Sequence, residues 1–251
     1  MFRSIKQWIG DDVHVADGSI GNIHDFYFDE KQWAIRYIVI DIGDWIEDRK
    51  VLLTPEEFSN PKIDEEKLPL KSLNKEQIKK SPELNTTLPV RKQDQISLHK
   101  YYRWLPYATS PITTEVEDSV EPEGKPTEPI DQMEQDYVEL RSTREVMHYL
   151  VKGEDGELGE VDDLYLDDEA WKMVYLVLNS RDKLEINKKI LITMSWIKWI
   201  HYHGQEVFLD LNQQTIIDSP PFDPKKPNHW PIEEEMINNS KKPIYGFVNE
   251  K

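Results

Sequence analysis

Shifted by 138 positions, this chain falls on itself, and that self-similarity limits the fold more than any other feature of the sequence. The shift pairs Arg3-Ser4 with Arg141-Ser142, Val13 with Val151, Asp17-Gly18 with Asp155-Gly156, and Gly21 with Gly159. It also pairs Asp25 with Asp163, Tyr27 with Tyr165, Asp29 with Asp167, Trp33 with Trp171, Tyr37 with Tyr175 and Val39 with Val177. Twelve residues match without a gap over the 39 positions from Arg3 to Asp41. The offset becomes 139 at Lys50/Lys189 and Thr54/Thr193, then returns to 138 at Leu73-Asn74/Leu211-Asn212 and Ser81-Pro82/Ser219-Pro220. One compact unit is encoded twice.

Each copy reads alike in physical terms. Ser4 with Gln7, and Ser142 with Glu145, fit the capping box that opens a short helix. A strand over 13–16 then turns at Asp17-Gly18 into a second strand near 21–29, because an Asp-Gly pair supplies the positive φ that tight hairpin turns require. Gly21 and Gly159 lie just past the turn, where a glycine signals a bulge or a close backbone approach. The third strand, 34–41, is apolar on both faces and is expected to be central. A fourth strand, 50–53, runs into Thr54-Pro55-Glu56-Glu57, with threonine as N-cap and proline first in a single helical turn. Final strands are expected near 68–73, 199–203 and 207–211, with Asn74 and Asn212 capping closing helices. Short strands at this spacing imply a small barrel.

These residues resemble a known pattern. Arg-Ser, Asp-Gly-x-x-Gly, Asp-x-Tyr-x-Asp, the tryptophan and the apolar third strand are similar to the PRC-barrel domain, present here in tandem. That family includes the cytoplasmic domain of the photosynthetic reaction-centre H subunit and the C-terminal domain of a ribosome-maturation factor. The aromatic run Tyr101-Tyr102-Arg103-Trp104-Leu105-Pro106-Tyr107 resembles the tail of bacterial stand-alone members. The resemblance implies a mainly β chain of two small PRC-barrel-like barrels with short capping helices, used as a non-enzymatic adaptor surface. It carries a link to the photosynthetic light reaction. The membrane helix of the H subunit and the N-terminal domain of the ribosome factor have no counterpart in the sequence.

The expected organisation is a first barrel over 1–85, an aromatic extension packed on it over 86–107, an acidic proline-rich linker over 108–138, a second barrel over 139–224 and a C-terminal extension over 225–251. The repeat signature is carried by Asp17, Gly18, Gly21, Trp33, Asp155, Gly156, Gly159 and Trp171. The two barrels are expected either to pack on each other, alone or in a homo-oligomer, or to act as tethered binding units.

Thirty-one basic against 48 acidic residues leave a net charge of −17, and the longest basic runs are pairs, so a nucleic-acid partner is not expected. With no cysteine, disulfide, thiolate and cysteine-ligated metal chemistry are excluded. No stretch approaches the ~20 apolar residues of a membrane span and no signal-peptide pattern opens the chain. The expectation is a cytoplasmic protein, peripheral to the inner membrane if it joins a membrane complex.

Candidate chemistry is sparse. His201-x-His203 would put two imidazoles on one strand face, as a metal site needs, with Glu206 as the nearest third ligand. The alternative to an adaptor is therefore a metal- or small-ligand-binding protein using that strand, although no metal or other cofactor is expected. Asp25/Asp29 and Asp163/Asp167 share a strand face at ~13 Å, too far for a shared proton or paired-carboxylate hydrolysis. No nucleophile or nucleotide-binding motif occurs, and no catalytic activity is expected. Tyr101, Tyr102, Arg103, Trp104 and Tyr107 have interface composition, but are read first as an intramolecular lid on the first barrel, with an interaction surface as the alternative. The partner is an unidentified protein or membrane complex.

Overall fold

The strands expected on either side of the repeated tryptophan become the two long strands of each half. The computed structural model describes residues 2–16, 18–43, 49–59, 67–82, 92–104, 140–180 and 188–223. In the first half β1 (Phe2–Ser4), α1 (Ile5–Trp8), β2 (Asp12–Val15), β3 (Gly18–Asp29), β4 (Ala34–Asp41) and β5 (Lys50–Leu53) precede a 3₁₀ turn at Pro55–Glu57. Then come β6 (Lys67–Pro69), α2 (Lys75–Lys79) and α3 (Lys92–Tyr102). The second half repeats the order: β7 (Leu140–Ser142), α4 (Thr143–Val146), β8 (Leu150–Lys152), β9 (Glu157–Asp167), β10 (Lys172–Asn179) and β11 (Lys189–Thr193). A 3₁₀ turn at Met194–Trp196, β12 (Ile197–His201), β13 (Glu206–Leu209) and α5 (Gln213–Asp218) complete it. The chain is mainly β, its sheet curled into half-barrel form, with few helices.

Gly21 and Gly159 show why the repeat keeps a glycine at this point. Both have positive φ, 147° and 150°, and a Cβ on either would lie 2.0 Å from the Asp41 carbonyl oxygen or 2.1 Å from that of Asn179. The strand ladder shifts register beside each, between Val13 and His14 and between Val151 and Lys152. Bulge and close approach therefore occur together, and both bend a long strand over the core.

The two halves do not form separate sheets. Among the described residues, thirteen strands join in one sheet whose main path runs β12-β13-β8-β9-β10-β4-β3-β2-β6. The halves meet where Lys172 lies opposite Ala34, with Ile35 N–H donating to Trp171 O (2.8 Å) and Met173 N–H donating to Trp33 O (2.7 Å). Trp33 and Trp171 sit at this seam with φ of 57° and 48°, an unusual region for a bulky residue. Both pack on the core, Trp33 stacked on Phe28 at 5.8 Å and Trp171 against Trp8 at 5.7 Å and Phe58 at 6.1 Å. One apolar cluster runs through both halves, from Ile5, Phe26 and Ile38 to Leu176, Ile192 and Ile216.

Expected capping details hold in part. Asn74 and Gln77 form a complete capping box, and Asn212 accepts from Thr215 N–H. At α1 and α4 the serine half forms: Ser4 Oγ accepts from Gln7 N–H and Ser142 Oγ from Glu145 N–H, each at 3.0 Å. The Glu145 carboxylate, however, accepts from Tyr149 OH at 2.9 Å. Asp17, the 108–138 linker and the 225–251 extension lie outside the described residues.

Candidate functional site

The matched aspartates Asp25 and Asp163 come first, because both are buried and both bridge the two halves. β1 runs antiparallel to β9 of the other half, Arg3 opposite Leu166, and β7 runs antiparallel to β3, Arg141 opposite Phe28. Each half thus lends its first strand and helix to its neighbour. Asp25, 5% exposed, accepts from Ser142 Oγ, Thr143 Oγ1 (2.9 Å) and Arg144 N–H (3.2 Å) at the start of α4. Asp163, 7% exposed, accepts from Ser4 Oγ (2.6 Å) and Lys6 N–H (3.0 Å) at the start of α1. Burial pushes both carboxyls above their ordinary pKa, outweighing the hydrogen bonds that favour the ionised form. Arg3 Nε donates to Asp168 at 2.9 Å, and at the matching place Arg141 stands 3.8 Å from Glu30 while its guanidinium covers the Tyr202 ring at 3.8 Å. These acids hold helices. Their side chains are occupied by the opposite half, and no pair of them faces a common reacting atom.

The aromatic extension is a lid. Leu98, Tyr102 and Trp104 pack over Tyr27, Tyr37, Val39, Leu52 and Leu140, on the sheet face opposite the main core. Tyr102 and Trp104 stack at 4.4 Å, Trp104 Nε1 donates to Glu57 (2.8 Å), and His99 Nε2 lies 2.8 Å from Tyr37 OH. Burial raises the Tyr102 hydroxyl to about 12. Tyr101, 38% exposed, spends its hydroxyl on Gln77 O at 2.7 Å. Arg103 takes φ of 61° where the helix ends. Tyr107 lies outside the described residues.

His201 and His203 are not brought onto one strand face. β12 ends at His201 and residues 202–205 turn, with Gln205 at φ 54°, so the two imidazoles leave the strand geometry a shared metal requires. His201 Nδ1 stands 3.9 Å from Glu206, whose other oxygen is held by Lys152. Among the described residues no three His, Asp or Glu side chains gather as a metal-holding group. Tyr202, between the histidines, donates its hydroxyl to Glu30 of the first half.

The strand carrying His201 has another property. β12 is the terminal strand of the sheet path, and among the described residues no strand pairs with its outer edge. Trp199 in its middle is 53% exposed, the most exposed large apolar side chain described, and stacks on Phe208 of β13 at 4.6 Å. Lys152 stands 5.7 Å from the Phe208 ring, continuing the row onto β8. Lys198 is tied to Asp210 at 2.6 Å and Glu154 at 3.6 Å. An edge with open backbone groups beside a flat aromatic pair can accept an extended segment from another molecule. Sequence reading placed the strand but not its edge position, which depends on sheet order and leaves no local signal in the run Ile197-Lys198-Trp199. Among the described residues no helix is long and apolar enough to cross a membrane. A scan against protein-family models and a search of curated proteins return no match to this chain.

Proposed function

We propose that this chain is a non-enzymatic adaptor of two PRC-barrel-like units, and that it binds a partner protein by adding an extended strand to the β12 edge. The observation that carries the reading is Trp199: more than half exposed, stacked on Phe208, on a strand whose outer backbone groups have no strand partner among the described residues. Strand addition supplies affinity through main-chain hydrogen bonds, and the aromatic pair supplies selectivity. Trp is also the residue type most often found to dominate protein interfaces. The acidic balance of the chain favours a protein surface over a phosphate backbone as the partner. The PRC-barrel resemblance is compatible with a membrane complex such as a reaction centre as that partner. The buried acids support a role without catalysis, since Asp25 and Asp163 are committed to holding the two halves together.

The test compares the wild-type chain with Trp199→Asp and Lys198→Pro in pull-downs from membrane and soluble fractions of the native cell. Circular dichroism first verifies that each variant is folded. The reading expects at least one protein that the wild type retains and both variants lose. Identical retained sets across the three baits would overturn it.

A further inference from the structure

Matching the halves residue by residue shows one chemical group exchanged between them. In the second half Asp162 of β9 sits between two ammonium groups. Lys189 Nζ of β11 stands 2.6 Å from Oδ2, and Lys6 Nζ of α1, lent by the first half, 3.2 Å from Oδ1. Burial alone would raise this carboxyl, but the hydrogen bonds and charges of Lys189 and Lys6 hold it below its ordinary pKa. The 138 shift carries Asp162 onto His24 and Lys6 onto Arg144, and the 139 shift carries Lys189 onto Lys50. The sheet obeys the same mapping: Asp41 lies opposite Lys50 as Asn179 lies opposite Lys189. The first half therefore keeps both cations and loses the acid between them.

Its substitute is an imidazole. Arg144 Nη1 donates to His24 O at 3.3 Å and lies 3.1 Å from His24 Nδ1. Burial, then the charges of Lys50 on β5 and Arg144 on α4, lower the His24 pKa, while Asp41 on β4 raises it. Asp41 accepts from Gly43 N–H at 2.9 Å, and Asp25 beside it in the chain accepts from Ser142, Thr143 and Arg144 N–H. Among the described residues neither Arg144 nor Lys50 forms an ion pair, unlike Lys6 and Lys189. In a chain of net charge −17, two cations side by side without a carboxylate are a marked local reversal of sign. Arg144 is exposed and His24 and Lys50 are half-buried, so the cluster is open to solvent.

We propose that His24, Lys50 and Arg144 bind the oxyanion group of a small soluble ligand, a carboxylate or a phosphoryl-type group, in the place that the Asp162 carboxylate fills in the second half. Arg144 offers a planar fork and Lys50 a point charge, a pairing suited to an anion with two or more oxygens. An anion beside His24 favours the imidazolium form, so binding takes up a proton. The site spans the junction, since His24 and Lys50 belong to the first half and Arg144 to the second. No residue of β12 takes part, and the site stands or falls apart from the strand-addition reading.

Titration of the full chain with sulfate, and separately with acetate, at ionic strength held constant with chloride, tests this. Sulfate keeps its charge between about pH 6 and about pH 8, so any pH dependence belongs to the protein. Backbone amide signals around residues 24, 50 and 144 are expected to shift saturably, with affinity rising several-fold as pH falls over that range. His24→Asp copies the second half and is expected to fold and lose the response; Lys50→Gln is expected to weaken it several-fold. Circular dichroism verifies the fold of both. A response to sulfate alone would assign a phosphoryl-type ligand, and one to acetate alone a carboxylate. No saturable shift with either anion would overturn the proposal, as would a response that chloride reproduces or that both folded variants retain at full strength.

Discussion

Asp25 and Asp163 are single residues that decide how the halves are joined. Each accepts hydrogen bonds from the first turn of a helix that belongs, in sequence, to the other copy. Asp25→Ala leaves Ser142 Oγ, Thr143 Oγ1 and Arg144 N–H without that acceptor inside the fold. Unsatisfied buried donors cost ~1–3 kcal/mol each, and removing the carboxylate's own burial cost offsets part, so a net loss of about 2–4 kcal/mol is expected in denaturant melts. Asp25→Asn keeps one acceptor oxygen and is expected to lose less. Because burial raises both carboxyls, the folded chain holds their protons to higher pH than the unfolded chain does. Their contribution is therefore fully present below about pH 4 and lost as pH rises through the folded pKa values. Melts of Asp25→Asn/Asp163→Asn are expected to show a flatter fall in stability above about pH 4 than wild type; an identical slope would contradict the assignment. The Asp-x-Tyr-x-Asp pattern was legible as a repeated signature, but not its use. Its partners lie 117 to 119 positions away, and local spacing carries no information about contacts at that range.

At the scale of elements, strand spans were readable because burial on one or both faces writes itself into the alternation. β4 and β10 are apolar on both faces and prove central. The helices were readable through their caps, Asn74 and Asn212 above all. Two things were not. Whether Tyr101 to Trp104 faces outward or inward depends on an apolar sheet face exposed on the side opposite the core, which hydropathy alone does not reveal. The His201-x-His203 pattern implied a continuous strand, and the turn over 202–205 breaks it. The lid makes a definite prediction. Trp104 stacks on Tyr102, packs on the Tyr37 face and donates to Glu57, so Trp104→Ala is expected to cost about 3 kcal/mol, near the low end for a large aromatic, since its site is half open. Calorimetry would read this, and a change below about 0.5 kcal/mol would show that the extension is held elsewhere.

For the whole molecule, duplication was plain from the sequence, while the exchange of β1–α1 for β7–α4 was not. A repeat states that two units are alike; it does not state whether each closes on itself. The continuous core and the Trp33–Trp171 seam join the halves in one packed body. A protease site engineered between Glu117 and Pro129 is accordingly expected to yield two fragments that still elute together and unfold in a single transition, with a midpoint that becomes concentration-dependent after cleavage. Two separate transitions, or fragments that part on a sizing column, would show that the seam is too weak to unite them.

The reciprocal loan of β1–α1 and β7–α4 has a consequence for how such a molecule can change. Two untethered identical subunits would have to keep every surface in duplicate, since any substitution appears on both sides of the axis. Covalent fusion removes that constraint: stoichiometry is fixed at one to one, and each side can specialise while its mate preserves the shared frame. Trp33 and Trp171 remain matched at the seam, whereas the exposed Trp199 of β12 falls opposite Asn60 or Pro61 under the repeat shift, so the two sides have already diverged at that position while keeping the frame between them.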